Sequence, residues 1–324
     1  MDRLRVGLVG VGVQGRLHAQ TMARLAQVDL RAVADLDEAN RGWAASALGV
    51  ETTSSMDEFL DEVDAVSICM PDHLHEEVTV RALRAGKRVL LEKPMSTSTA
   101  SCDRIIGELT DPDALMIGHI LRFDPRVIRA REIVQGGELG EIWHVKVWRC
   151  TSQLVGAGIW DRTSVAWFLG VHDIDLVRFV TGLEAEVVSA DGRRVLSPNH
   201  DVVHATLRLG NGALLSMENN WTLPHGRPSR ADAGLRVVGQ RGIIELNLGH
   251  ADLLHVERDG GAVFRDTYFW PSASGDGAFN LRTELAAFAD AALSGGPSPV
   301  PGSDGRAAVA VIEDIEARLA AQAD

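Results

Sequence analysis

Lys93 stands at the end of an apolar run, Arg88-Val-Leu-Leu-Glu92, and immediately before Pro94. The stretch from Arg88 to Leu91 is too short for a helix, and its composition is that of a strand covered on both faces. In such sheets ligands lie beyond the carboxyl ends of the strands. Lys93 is therefore placed to meet a ligand, with Glu92 beside it and Pro94 restricting the backbone of both itself and Lys93. An ammonium in that position can hold a hydroxyl and stabilise charge developing on its oxygen. Read alone, the segment is equally an ordinary turn with a solvated lysine.

A second constellation lies upstream. The apolar strand Leu4 to Val9 runs into Gly10-Val11-Gly12-Val13-Gln14-Gly15, and a helical pattern continues to about Ala26. Glycines at this spacing serve a tight turn, a close approach of backbone to pyrophosphate and close helix packing, in that order. The helix N-terminus adds amide donors for phosphate. The next strand, Asp29 to Ala34, ends at Asp35, 20 residues after Gly15, where an acid accepts hydrogen bonds from the adenosine ribose. Asp37 adds negative charge and no arginine occupies position 36, so NAD is favoured over NADP.

Histidines form the third set. The buried strand Ala65 to Met70 leads through Pro71 to His73 and His75, then to a helix from Glu76 to Ala85 stopped by Gly86. Two histidines invite a metal, but no third ligand is nearby, so none is expected. A histidine lining the nicotinamide pocket, alongside Met70 and Pro71, is the better use. Farther on, His172-Asp-Ile-Asp175 interrupts an apolar helix, Val165 to Val180. Helical geometry makes His172 and Asp175 neighbours while Val171, Ile174 and Leu176 pack. A lone histidine there is more often a satisfied core residue. The polar loop Thr151 to Ser164 carries Trp160, Asp161 and Arg162, candidates for substrate contact or an ordinary surface excursion.

These residues need a scaffold, and the pattern supplies one. Strands alternate with helices at Glu38–Leu48, Glu76–Ala85 and Thr97–Leu109, and a strand at Ala114–Ile120 closes the series. That is a doubly wound parallel sheet, an α/β Rossmann arrangement. Its natural end gives a first domain of 1–121 and a second of 122–324. The second begins with a helix from Pro125 to Gln135 and a strand from Glu141 to Cys150. Strands then follow at 185–190, 202–209, 213–221, 235–238, 242–246 and 252–257, with hairpin signals at Gly210-Asn-Gly and Gly239 to Gly242. An α+β domain with a broad, largely antiparallel open sheet is expected. Helices at 281–293 and 305–321 close the chain, the last with an apolar stripe of Ala308, Ile312, Ile315 and Leu319.

Composition narrows the partners. A net charge of −13 over 324 residues disfavours nucleic acid and anionic membranes. No apolar stretch approaches a membrane span, and Gly10, Gly12 and Gly15 break the one N-terminal run that imitates a signal peptide. The 3 cysteines are odd in number and widely spaced, which suits a reducing cytoplasm.

Taken together, Gly10 to Gly15, Asp35, Pro71 through His75, Glu92-Lys93-Pro94 and Arg122-Phe123-Asp124-Pro125 resemble the glucose-fructose oxidoreductase, inositol dehydrogenase and rhizopine-catabolism oxidoreductase (Gfo/Idh/MocA) family. The resemblance covers the first domain throughout and the second more thinly. Its Glu-Lys-Pro triplet is far more specific than the glycine loop. It implies that His172 and Asp175 form an active-site His-x-x-Asp facing Lys93, and that the open sheet serves self-association. One departure stands out: many members place an aspartate four residues before the histidine, and this chain has Phe168. Either Asp161 supplies that carboxylate or the site works without it.

The expected activity is oxidation of a secondary alcohol on a sugar, cyclitol or sugar derivative, with hydride passing to NAD. The hydroxyl proton must leave as well, which calls for a general base. His172 takes that role with Asp175 orienting it, Lys93 polarises the oxygen, and Trp160 and Asp161 contact substrate. Gly10, Gly12, Val13, Gln14, Gly15, Asp35, Met70, Pro71, His75, Glu92 and Lys93 hold the cofactor. A homodimer or homotetramer is expected. The alternatives are a non-catalytic NAD- or sugar-binding regulator, or an enzyme that oxidises a sugar only transiently to permit elimination or bond cleavage.

Overall fold

In the computed structural model, residues 3–224, 231–249, 254–256, 262–264 and 279–322 are described. Their main elements run β1 (Leu4–Val9), α1 (Val13–Met22), β2 (Val28–Ala34), α2 (Glu38–Leu48), β3 (Glu51–Thr53), β4 (Ala65–Ile68), α3 (His75–Arg84), β5 (Arg88–Glu92), α4 (Thr99–Gly107) and β6 (Leu115–Gly118). There follow α5 (Pro125–Gln135), β7 (Ile142–Ser152), α6 (Gln153–Gly156), α7 (Val171–Thr181), β8 (Ala185–Arg193), β9 (Val202–Leu209), β10 (Leu214–Leu223), β11 (Ala231–Gly239) and β12 (Gly242–Asn247). Short strands β13 (Leu254–Val256) and β14 (Ala262–Phe264) precede α8 (Phe279–Ser294) and α9 (Gly302–Ala321).

Two compact units result: described residues within Met1–Ile120 and Tyr268–Val309, and those within Leu121–Thr267 and Ala310–Asp324. The first unit holds a parallel sheet of order β3-β2-β1-β4-β5-β6. Its central strands are apolar runs because both faces are covered: Val6, Leu8, Val66, Ile68, Val89, Leu90 and Leu91 are all wholly buried. The chain moves outward from β1 to β3 and then returns to place β4 on the other side of β1. That reversal is where such sheets bind ligands. Strand β3, polar and three residues long, carries no strand pattern in the sequence.

One part of the chain differs from expectation. Helix α8 and the start of α9, which the sequence places in the second domain, belong to the first unit. The reason is burial: Leu281, Leu285 and Phe288 form a stripe on α8, which packs on α1 and β1.

The second unit is a mixed sheet of order β12-β11-β7-β10-β9-β8, with only the β7 and β10 pair parallel. Alternation sorts its faces: Val145, Val147, Leu215, Met217, Leu235 and Val237 are buried, whereas Lys146, Ser216 and Glu245 are exposed. Helix α7 packs on β7 and α5 packs on α7. The apolar stripe of α9 is buried as its spacing predicts. The strand expected at 252–257 is seen at Leu254–Val256, and its remaining positions lie outside the described residues. Among the described residues no helix is long and apolar enough to cross a membrane.

Candidate active site

The glycine loop has the shape a dinucleotide requires. Gly10 has φ +87°, and a Cβ there would lie 2.6 Å from the Cys69 carbonyl oxygen; one on Gly15 would lie 1.9 Å from that of Gly10. Only glycine fits either place. A Cβ on Gly12 would meet nothing within 4 Å, so this side of the loop is open. Val13 and Gln14 begin α1, whose first turn carries no acidic side chain to compete with an anion for its amides. Asp35, at the end of β2, accepts from the Val11 amide at 2.6 Å, the Asp37 amide at 2.8 Å and Asn40 Nδ2 at 3.2 Å. The acid is thus fixed against the loop. These groups fit NAD, with backbone amides for the pyrophosphate and a carboxylate for the ribose.

Strand β5 delivers Glu92 and Lys93 to the same end of the sheet. The buried Glu92 carboxylate is occupied within the protein: Oε1 accepts from Gln14 Nε2 at 3.0 Å and faces His18 Nε2 at 3.0 Å, and Oε2 accepts from the Lys93 amide at 3.0 Å. Burial opposes its ionisation, but His18, Lys93 and Gln14 outweigh burial and hold it below the ordinary carboxylate range. The Lys93–Pro94 peptide is cis and Lys93 is half-buried.

His75 is brought to this turn in a supporting capacity. Nδ1 lies 2.8 Å from the Pro94 carbonyl oxygen and Nε2 lies 2.9 Å from that of Met70, so the ring joins the end of β4 to the lysine turn. Burial pushes its pKa down and outweighs the two carbonyls, which favour the protonated ring. With 1% exposure, the ring is held between the two carbonyls, its one N–H bonding to one of them, and it braces the turn. His73 is exposed on the turn before α3.

In the second unit the long helix expected from Val165 to Val180 is divided. Ala166–Gly170 is a π-helical turn and α7 continues from it, an irregularity frequent at functional sites. Gly170 permits the packing here, since a Cβ would lie 2.7 Å from Asn219 Oδ1. His172 lies on the first turn of α7, half-buried. Phe168, on the π-helical turn, faces the buried Trp221 at 6.4 Å between ring centroids. Trp221 in turn donates to Asp201 Oδ1 at 2.6 Å. An aromatic pair thus occupies the region that a carboxylate at position 168 would have made polar.

Asp175, expected to orient the His172 ring, has its carboxylate in the fork of Arg122: Nε lies 2.9 Å from Oδ2, and Nη2 lies 2.5 Å from Oδ1. Both side chains are buried. Arg122 stands in a sequence motif, yet nothing local to that motif gives it this partner. The motif's remaining residues start α5, with Asp124 accepting from the Arg126 amide at 2.8 Å and Pro125 on the first turn. Asp173, next to His172, is wholly buried with Arg149 Nε at 2.9 Å and Asn219 Nδ2 at 2.7 Å. Burial pushes the Asp173 carboxyl up against the pull of those partners. Trp160 is half-buried, its carbonyl accepting from Asn199 Nδ2 at 2.7 Å, and Asp161 beside it is exposed.

His18 and Glu284 escape the sequence reading, though each leaves a local signal. His18 lies four residues after Gln14, on the same face of α1. Glu284 falls at the i+3 position of the Leu281, Leu285, Phe288 stripe, an acid where the pattern calls for an apolar residue. Among the described residues, no His, Cys, Asp and Glu side chains form a metal-sized group of three or more.

Comparison with known proteins adds to this geometry. Residues 4–118 match the model of an oxidoreductase family with an NAD-binding Rossmann fold, and residues 127–245 match the GFO/IDH/MocA C-terminal domain. The chain is 29% identical to the myo-inositol 2-dehydrogenase of Thermotoga maritima over 321 residues, covering 94% of this chain and 93% of the relative. It is 32% identical to the UDP-N-acetylglucosamine 3-dehydrogenase of Acidithiobacillus ferrooxidans over 219 residues, 67% of each. The fold superposes on scyllo-inositol dehydrogenase of Lactobacillus casei, solved with NAD(H) and scyllo-inositol, with a TM-score of 0.86 at 22% identity, over 99% of this chain and 98% of that one.

Proposed function

The chain belongs to the GFO/IDH/MocA oxidoreductase family, and we propose that it oxidises a secondary alcohol of a cyclitol, with NAD as hydride acceptor. The observation that carries this reading is the attachment of the lysine turn to the glycine loop, through Gln14 and the Lys93 amide on one carboxylate. The group expected to handle substrate oxygen is thereby built on the frame that receives the dinucleotide.

Bound NAD supplies an acceptor carbon for hydride. Oxidation removes a hydride from the substrate carbon and a proton from its hydroxyl, leaving a carbonyl. In this reading His172 receives that proton, since imidazole is the side chain whose ordinary pKa falls in the working range. Lys93 holds the same oxygen and stabilises its developing negative charge. Asp175, immobilised by Arg122, places a fixed carboxylate one turn along α7 from His172. The aromatic pair of Phe168 and Trp221 replaces a carboxylate familiar in the family, so the proton route here runs through His172 without it.

Relatives leave two substrate classes to compare, the cyclitols and the nucleotide sugars. NADH absorbance recorded with myo-inositol, scyllo-inositol and UDP-N-acetylglucosamine tests the reading directly. Turnover with either inositol and none with the nucleotide sugar is expected. Self-association is assigned to the open sheet face, where Ile243, Val238, His144 and Leu214 align across four strands. Exposed apolar residues in such a row favour burial against a second copy.

A further inference from the structure

Three groups converge on the Glu92 carboxylate, and each comes from a different part of the first unit's binding machinery. Gln14 belongs to the opening turn of α1, the Lys93 amide to the turn after β5, and His18 to the buried face of α1. His18 is wholly buried and held at both nitrogens, because Nδ1 lies 3.1 Å from Ser67 Oγ on β4. An ionised carboxylate only accepts, so Nε2 must carry a proton. Burial works against a charged ring here, but the Cys69 sulfur and Glu92 outweigh it and hold the ring well above its ordinary pKa. Helix α8 adds the wholly buried Glu284, whose oxygens have no hydrogen-bond partner among the described residues. Burial, and then the nearby Glu92 charge, push the Glu284 carboxyl well up and keep it neutral. The cluster therefore sets the Glu92 carboxylate against the Nε2 proton of His18.

We propose that His18 is a positioning residue for the reaction: by holding Glu92 in place, it fixes the Lys93 backbone and the Gln14 end of the dinucleotide loop in one frame. This rests on the assignment of Lys93 to the reaction. Without the imidazole, Glu92 would be a buried carboxylate short of a hydrogen-bond donor and would turn toward water, taking the Lys93 amide and Gln14 contacts with it. Dinucleotide affinity and lysine placement are thereby coupled through one side chain. A purely structural histidine would affect melting but neither of these.

The test uses the full-length protein with His18→Gln, Glu92→Gln and their combination, and with Lys93→Met as the control. For each variant, NAD affinity is measured by calorimetry, melting by circular dichroism, and kcat and KM with an accepted inositol. We expect His18→Gln to weaken NAD binding roughly tenfold, the scale of one charge-assisted hydrogen bond. Its kcat should fall by about 10²-fold, the scale of a small misplacement of a reacting group, with KM for the polyol little changed. Glu92→Gln should do the same, and the combination should be no worse than the poorer single variant, because both break one linkage. Glu92→Gln carries the test if His18→Gln does not fold. The proposal is overturned if both single variants keep wild-type kcat and NAD affinity, whatever happens to melting, or if their effects multiply as independent sites would. Near-normal turnover in Lys93→Met would instead overturn the assignment of Lys93, a separate result.

Discussion

Arg122 grips Asp175 with two nitrogens, Nε 2.9 Å from one carboxylate oxygen and Nη2 2.5 Å from the other, in a site where both side chains are buried. A buried pair of this kind is costly to break from one side, because the remaining charge is left uncompensated. Arg122→Met should therefore destabilise the second unit by about 3–5 kcal/mol. Arg122→Lys should recover only part of that, since an ammonium cannot reproduce the fork. Urea unfolding followed by fluorescence checks both. Equal stability of Arg122→Met and wild type would show the pair to be dispensable.

The neutral Glu284 gives the first unit a pH signature. Its folded pKa is raised, by burial first and by Glu92 next. A raised acid contributes stability that is fully present below its unfolded value, near 4.3, and that is lost as pH rises through its folded value. Glu284→Gln removes the titration. The melting temperature of that variant relative to wild type should therefore climb steadily from about pH 4 upward. A difference that stays constant with pH would mean Glu284 does not titrate in the folded protein.

Much of the fold and part of the site are legible in the sequence. The glycine loop and Asp35 can be read because backbone geometry dictates them: a positive φ at Gly10 and a carbonyl against Gly15 leave no choice of residue. Alternation and helical periodicity locate most strands and helices for the same reason, since burial is periodic. Other features stay hidden because they depend on distant partners. Glu92 is adjacent to Lys93 in sequence, but its partners His18 and Gln14 lie 74 and 78 residues away. The return of α8 to the first unit depends on tertiary packing that no local pattern encodes. The π-helical turn at Ala166–Gly170 differs from an α-helix by one hydrogen-bond step, which periodicity over so few residues cannot resolve.

Cofactor choice should follow Asp35, whose carboxylate is held against the loop by the Val11 and Asp37 amides. A 2′-phosphate brought to it would meet a fixed negative charge. NAD is expected to bind at least about tenfold more tightly than NADP, or about 1.4 kcal/mol. Calorimetric titration with both dinucleotides decides it, and equal or reversed affinities would contradict the assignment.

Self-association should depend on the open sheet. Leu214 and Ile243 are 48% and 55% exposed and stand at the two ends of the row Ile243, Val238, His144 and Leu214 across β12, β11, β7 and β10. Leu214→Asp with Ile243→Asp should turn a dimer or tetramer into monomer while leaving the monomer folded, since neither residue packs in the core. Sedimentation velocity at micromolar concentration reads this. A wild-type monomer, or an oligomer unaffected by the two charges, would refute the assigned face.

The proposed chemistry requires Lys93 and His172 to act on the same reacting hydroxyl. The most direct measurement is the single-turnover rate of NADH formation from inositol, followed across pH for wild type, Lys93→Met and His172→Ala at saturating NAD. Both variants should bind NAD with nearly wild-type affinity and lose roughly 10²–10⁴-fold in rate, the usual contribution of a positioned acid–base group. The wild-type rate should rise with pH as His172 becomes neutral, and His172→Ala should lack that limb. A His172→Ala enzyme that keeps both its rate and the limb, or a Lys93→Met enzyme that turns over normally, would contradict these roles.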